Sequence, residues 1–228
     1  MLQQGTDQAR YAPFVGARVG NLIQGSDAWK LLRCGSIGAS DAPRVVRRIK
    51  SGGYSADRDS LMAAKVLERL TGVPVEIYKT FAMVQGTARE PDARMTYSII
   101  KGVEIEEVGL VPHPLIKGAH ASPDGLAGLI GLVEFKCPLP AEHLDTLLTE
   151  TISNDHMVQM QWQMACTGRK WCDFVSFNPD FPAAMQLWTR RVARDATRIG
   201  ELESEIKQFI RELEQKVDKL SRRYVMAA

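Results

Sequence analysis

The run ASPDGLAGLIGLVEFKCP at 121–138 constrains the fold more than any other part of the chain. It sets Asp124, Glu134 and Lys136 on segments otherwise made of Leu129, Ile130, Leu132, Val133 and Phe135. A solvated loop has no use for such apolar flanks. The charges therefore either decorate the end of a buried sheet or converge there to hold a metal. Side chains alternate along a strand, so Glu134 and Lys136 share one face while Val133 and Phe135 take the other. Asp124 lies upstream across Gly125, Gly128 and Gly131, a spacing suited to a hairpin that returns it beside Glu134.

Each of these groups has a use in phosphate chemistry. Two carboxylates supply hard oxygen ligands for Mg²⁺, which keeps several waters, and Mn²⁺ is expected to substitute for it. Such a metal lowers the pKa of a bound water and neutralises charge building on a phosphate. Lys136 can orient that water or stabilise the negative transition state. The peptide carbonyl of Phe135 offers a third metal ligand. Alone, an E-x-K triplet is most often a salt bridge on a solvated strand. The preceding Pro123-Asp124 turns it into the P-D…E-x-K string of the PD-(D/E)xK nuclease fold.

Composition limits the alternatives only loosely. The 228 residues can bury one sizeable core, and 45% hydrophobic with 25% charged residues is ordinary for a globular protein. A net charge of +2 says little about an anionic partner, so placement of charge must decide. Cys34, Cys137, Cys166 and Cys172 have no CxxC spacing and read as reduced thiols. No apolar run approaches the ~20 residues needed to span a bilayer. No signal peptide is evident in MLQQGTDQAR, and a cytoplasmic location is expected.

Helix signals fall at 27–35 behind Ser26 or Asp27, after Ser40 as N-cap, and at 60–71 before Gly72. Further helices are expected after Glu90, where Pro91 opens the regular part, and over NDHMVQMQWQMACTG. VEIEEVGLVPHP and KWCDFVSFNPD have strand composition. The tail reads as a long helix over 183–224, with Ile199, Leu202, Ile206, Phe209 and Leu213 as a stripe that packs on its own core or at a subunit or partner interface. Residues 1–24 form an arm with little pattern. The expected architecture is α/β: one nuclease domain over 1–228, with a central mixed sheet flanked by helices.

Four stretches carry a resemblance. SPDGL with VEFKCP, QGSDAWKLLRCGSIGAS, QGTAREPDAR and HMVQMQWQMACTGRK resemble, in the same order, motifs of the lambda-phage exonuclease and its YqaJ-like viral-recombinase relatives. The resemblance implies a Mg²⁺-dependent exonuclease that digests one strand of duplex DNA from its 5′ end. It also implies a ring-shaped homotrimer and a companion single-strand annealing protein. Residue by residue, it makes Asp124 and Glu134 metal ligands, Lys136 the catalytic lysine, and Glu90 a further metal-binding group. Gln159 is expected beside the metal-bound water, with Gln161 and Gln163 as weaker candidates. Alternate helix residues differ by about 200°, so the three glutamines cannot all point one way.

Arg33, Ser40 and Ser122 match positions that hold a terminal 5′-phosphate, and Ser40 at a helix start suits an anion. RVVRRIK sets Arg44, Arg47, Arg48 and Lys50 close together, either a footprint for a duplex backbone or a plain polar helix face. The resemblance makes Met83 an apolar wedge at the end base pair; core packing is the reading from the residue itself. His156 stands where the family has a tyrosine. An endonuclease of the same fold and a non-catalytic DNA-binding subunit remain as alternatives.

Overall fold

A computed structural model describes residues 22–76 and 78–224, so most of the arm at 1–24 lies outside the described residues. Three helices come first, α1 (Asp27–Arg33), α2 (Ala42–Val46) and α3 (Ala56–Thr71), followed by the long α4 (Phe81–Lys101). Five short strands follow: β1 (Ile105–Glu106), β2 (Val111–Pro112), β3 (His120–Ala121), β4 (Gly125–Ala127) and β5 (Gly131–Lys136). Helices α5 (Pro140–Thr149) and α6 (Asn154–Thr167) lead to β6 (Trp171–Phe177), β7 (Leu187–Ala193) and α7 (Ala196–Tyr224).

The main sheet runs β1-β4-β5-β6-β7, with β2 and β3 paired apart from it. β4 and β5 form the expected hairpin, with Gly125 opposite Val133. Gly128 turns it in the left-handed region, which a side chain would resist. β5 and β6 are parallel, and the connection between them carries α5 and α6. All other pairings in the main sheet are antiparallel, which makes it mixed.

Alternation divides the sheet into two chemical faces. Val133 and Phe135 of β5 join Val175 and Phe177 of β6 against Ala93 and Tyr97 of α4. Leu132, Cys172 and Phe174 face the larger cluster, which includes Met160 and Met164 of α6. Glu134 lies fully buried on that second face. The α7 stripe expected from spacing is buried in this cluster from Ile199 to Leu213.

Several boundaries differ from expectation. The long C-terminal helix begins at Ala196, not at 183. Leu187–Ala193 instead pairs with β6 along its whole length, and the sheet edge outweighs local helix propensity there. α4 starts ahead of Glu90, behind a Thr80 cap, and runs through Pro91. Burial of Ala93 and Tyr97 against the sheet offsets the missing proline N–H. Ser40 caps no helix: Asp41 precedes the five-residue α2. That short turn removes the helix-dipole argument for an anion at Ser40. Met83 is half exposed on the first turn of α4, not packed in the core. Among the described residues, no helix is long and apolar enough to cross a membrane.

Candidate active site

The hairpin register carries Asp124 to the level of Glu134, and the Asp124 carboxylate accepts the Phe135 amide at 2.8 Å. Lys136, two residues along the same face, places Nζ 2.5 Å from Glu134 Oε1. α6 closes this face. Gln159 donates to Glu134 Oε1 at 2.6 Å, and Gln163 donates to Oε2 at 2.5 Å. Residues four apart on a helix share a side, which sends Gln161 elsewhere. Its amide bonds Ala193 and Asp195 at the end of β7. Gln163, the weaker candidate from sequence, therefore bonds Glu134 just as Gln159 does. The i, i+4 spacing was the signal for it.

Glu90 comes from α4 and is tied to Arg94 at 3.1 Å. Burial pushes its carboxyl up; Arg94 opposes the shift, and the charge of Glu134 adds to it. Asp124 is driven well above the ordinary carboxylate range, first by burial and then by Glu134, with Lys136 opposing. Burial also works against the charge on Lys136, but Glu134 and Asp124 outweigh it and hold the ammonium firmly protonated. His156 stacks near Phe174, and burial followed by the Lys136 charge lowers its pKa.

Among the described residues, no group of three or more His, Cys, Asp or Glu side chains is placed to hold a metal ion by itself. The donor chemistry still fits a hard divalent cation that retains several waters. Asp124 and Glu134 offer only oxygen, they repel each other, and one lysine answers them both. Two carboxylates against one lysine leave an excess of negative charge that a cation would neutralise.

A second polar cluster forms beside the first. The Arg33 guanidinium lies 3.9 Å over the Trp29 ring and reaches Ser40 Oγ at 3.4 Å. Trp29 Nε1 donates to Ser122 Oγ at 3.1 Å, so Arg33, Ser40 and Ser122 are brought together. Gln24 donates to the Pro123 carbonyl at 2.9 Å, which fixes the segment joining Ser122 to Asp124. His120, given no site role from sequence, supports Arg33 from behind at 3.1 Å. A histidine on a two-residue strand has no periodic signal to betray it.

The basic segment is divided in its duties. Arg47 is engaged by Asp57 and Asp155. Arg48 bonds Glu205 at 2.7 Å and stacks on Tyr54. Arg44 donates to the Asp57 carbonyl at 3.3 Å, and Lys50 is exposed in the following turn. Arg44, Arg47 and Arg48 thus each reach a neighbouring element.

The sequence matches the YqaJ-like viral recombinase domain over residues 28–170. A crystal structure of an alkaline exonuclease from Laribacter hongkongensis superposes with TM-score 0.83 at 41% identity, covering 89% of this chain and 100% of that one. The match to the same enzyme in complex with dAMP has the same TM-score and identity. A phage-related exonuclease from Haemophilus somnus 129PT shares the fold, with TM-score 0.63 at 15% identity over 82% of this chain and 96% of that one. No curated protein gives a significant match.

Proposed function

The chain belongs to the YqaJ-like viral recombinase domain family, and on that premise we propose that it is a Mg²⁺-dependent 5′-to-3′ exonuclease of double-stranded DNA. It removes one strand from a 5′-phosphorylated end and leaves a 3′ overhang for recombination by single-strand annealing. The observation that carries the reading is the buried Glu134, which meets Lys136 and stands level with Asp124 at the end of β5.

Asp124, Glu134, Glu90 and the Phe135 carbonyl would hold the cation, with Mn²⁺ as a substitute. When bound, it supplies a water of lowered pKa and neutralises charge on the scissile phosphate. Gln159 and Gln163 keep the Glu134 carboxylate oriented by donating to both of its oxygens. Lys136 stays protonated beside Glu134 and meets negative charge that grows on the phosphate oxygens. Arg33, with Ser40 and Ser122, receives the terminal phosphate through a forked, charge-assisted donor. Arg44, Lys50 and the exposed Met83 contact the duplex, while Arg47 and Arg48 shape the segment that presents them. The working assembly is a homotrimeric ring around DNA, coupled to a single-strand annealing protein.

Purified protein should shorten a linear 5′-phosphorylated duplex with Mg²⁺ and leave it intact in EDTA. Survival of that duplex under both Mg²⁺ and Mn²⁺ would defeat the proposal. Cutting of a closed circular duplex would favour an endonuclease instead.

A further inference from the structure

His120 is buried on β3, outside the acid cluster, and its ring closes a loop of hydrogen bonds with a single solution. Ser36 donates its one hydroxyl proton to the Arg33 carbonyl at 2.7 Å. The 3.0 Å contact between Ser36 Oγ and His120 Nδ1 must then be made by a proton on Nδ1. Arg33 Nε, always a donor, meets His120 Nε2 at 3.1 Å, so Nε2 must be bare. Two separate constraints select the same neutral tautomer.

The ring thereby grips Arg33 twice, by its guanidinium directly and by its backbone carbonyl through Ser36. Stacking on Trp29 fixes the guanidinium plane. Gly38 leaves no slack: a Cβ there would lie 3.0 Å from Arg33 Nη2 and 3.1 Å from His120 Nε2. Without the acceptor, the guanidinium would keep its charge but lose its aim.

We propose that His120 is a positioning residue for end selection, its Nδ1-protonated ring holding the Arg33 guanidinium in the attitude that meets a terminal phosphate. This rests on the reading of Arg33 as the phosphate anchor. Protonation of Nε2 would set a donor against a donor and a cation against a cation. Burial first, then Arg33 from α1 and Lys65 from α3, hold the ring well below the ordinary histidine pKa. Asp41 and Glu68 act in turn on Arg33.

The test compares kcat/KM of the full chain on linear duplexes with 5′-phosphate or 5′-hydroxyl ends. His120→Ala should lower turnover of phosphorylated ends about tenfold, the scale of one hydrogen bond to a charged group. Hydroxyl ends should change by less than about twofold, since a single lost positioning contact leaves the acid cluster intact. His120→Gln, whose Oε1 can take the place of Nε2 as acceptor, should restore the preference. The wild-type preference should also hold constant between pH 9 and about 7, above the ordinary histidine pKa. Equal loss on both ends without rescue by Gln, or a preference untouched in His120→Ala, overturns the positioning role. An Arg33→Lys variant separates the two levels. Loss of preference there with retention in His120→Ala removes His120 alone, whereas retention in Arg33→Lys removes the phosphate anchor and His120 with it.

Discussion

The sheet buries a carboxylate on each face, both supplied with hydrogen-bond donors, and the two differ in the charge around them. Asp173 on β6 faces α4 and is satisfied: Tyr97 donates at 2.7 Å, and Arg191 donates twice at 2.7 and 2.9 Å. Arg191 also lies 3.5 Å over the Trp171 ring. One negative charge is met by one fixed positive charge. Glu134 on β5 is answered by Lys136 and shares its surroundings with Asp124 and Glu90, while the Arg94 that pairs Glu90 is also bound by Glu107 at 2.9 Å. Burial alone therefore does not mark a functional acid. A surplus of like charge is the further mark expected of one.

Four measurements press on this contrast. The largest effect is expected on the Glu134 face: Lys136→Ala and Asp124→Asn should each lower the nuclease rate about 10²–10³-fold. The metal-free stability of Asp124→Asn should stay level or rise, because a repelling charge is removed while the Phe135 amide keeps an acceptor. A retained rate in either variant would place the chemistry elsewhere. On the other face the pattern inverts. Asp173→Asn should cost about 2 kcal/mol in denaturant titrations, less than for a fully enclosed pair because Arg191 keeps contact with water. Its specific activity per folded molecule should stay near wild type, and a nuclease-dead but stable Asp173→Asn would erase the distinction between the faces.

Cation binding offers a third measure. Mg²⁺ at tenfold above its Kd should stabilise the protein by about 1.4 kcal/mol, read as a rise in Tm. Asp124→Asn should lose that response and Asp173→Asn keep it; a shift in neither protein would deny the cation a site at Asp124. The smallest effect concerns a satisfied pair nearer the surface. The hydrogen bond from Arg58 holds the Glu212 carboxyl below its ordinary value against the opposing pull of burial. A lowered carboxyl pKa gives stability that is present above the unfolded value of about 4.3 and lost as pH falls through the folded one. Glu212→Gln should flatten that acid limb while leaving neutral-pH activity unchanged, as thermal melts from pH 6 to 3 would register.

The hairpin, the α6 helix, the β6 strand and the apolar stripe of α7 were legible because period and turn chemistry are local. The glycine-rich turn of the hairpin, with Gly128 in the left-handed region, is an example. Less legible was the stretch at 183–195, whose Trp188 and Val192 suit a strand only when β6 is there to pair with them. Ser40 looked like a cap because its type fits, but Asp41 holds the position and leaves the Ser40 hydroxyl to Arg33. Half of the RVVRRIK charges found partners over a hundred residues away, in Asp155 and Glu205.

By itself the sequence determined which candidate groups share a strand face. Alternation along β5 and the hairpin spacing suffice to bring Asp124, Glu134 and Lys136 together. Only the tertiary structure decided how those charges are balanced. Whether a carboxylate meets a saturating arginine or a crowd of other acids depends on contacts between distant elements, and so does the tautomer of His120 behind Arg33. Electrostatic energy depends on distance and burial, and neither is written in the order of the residues.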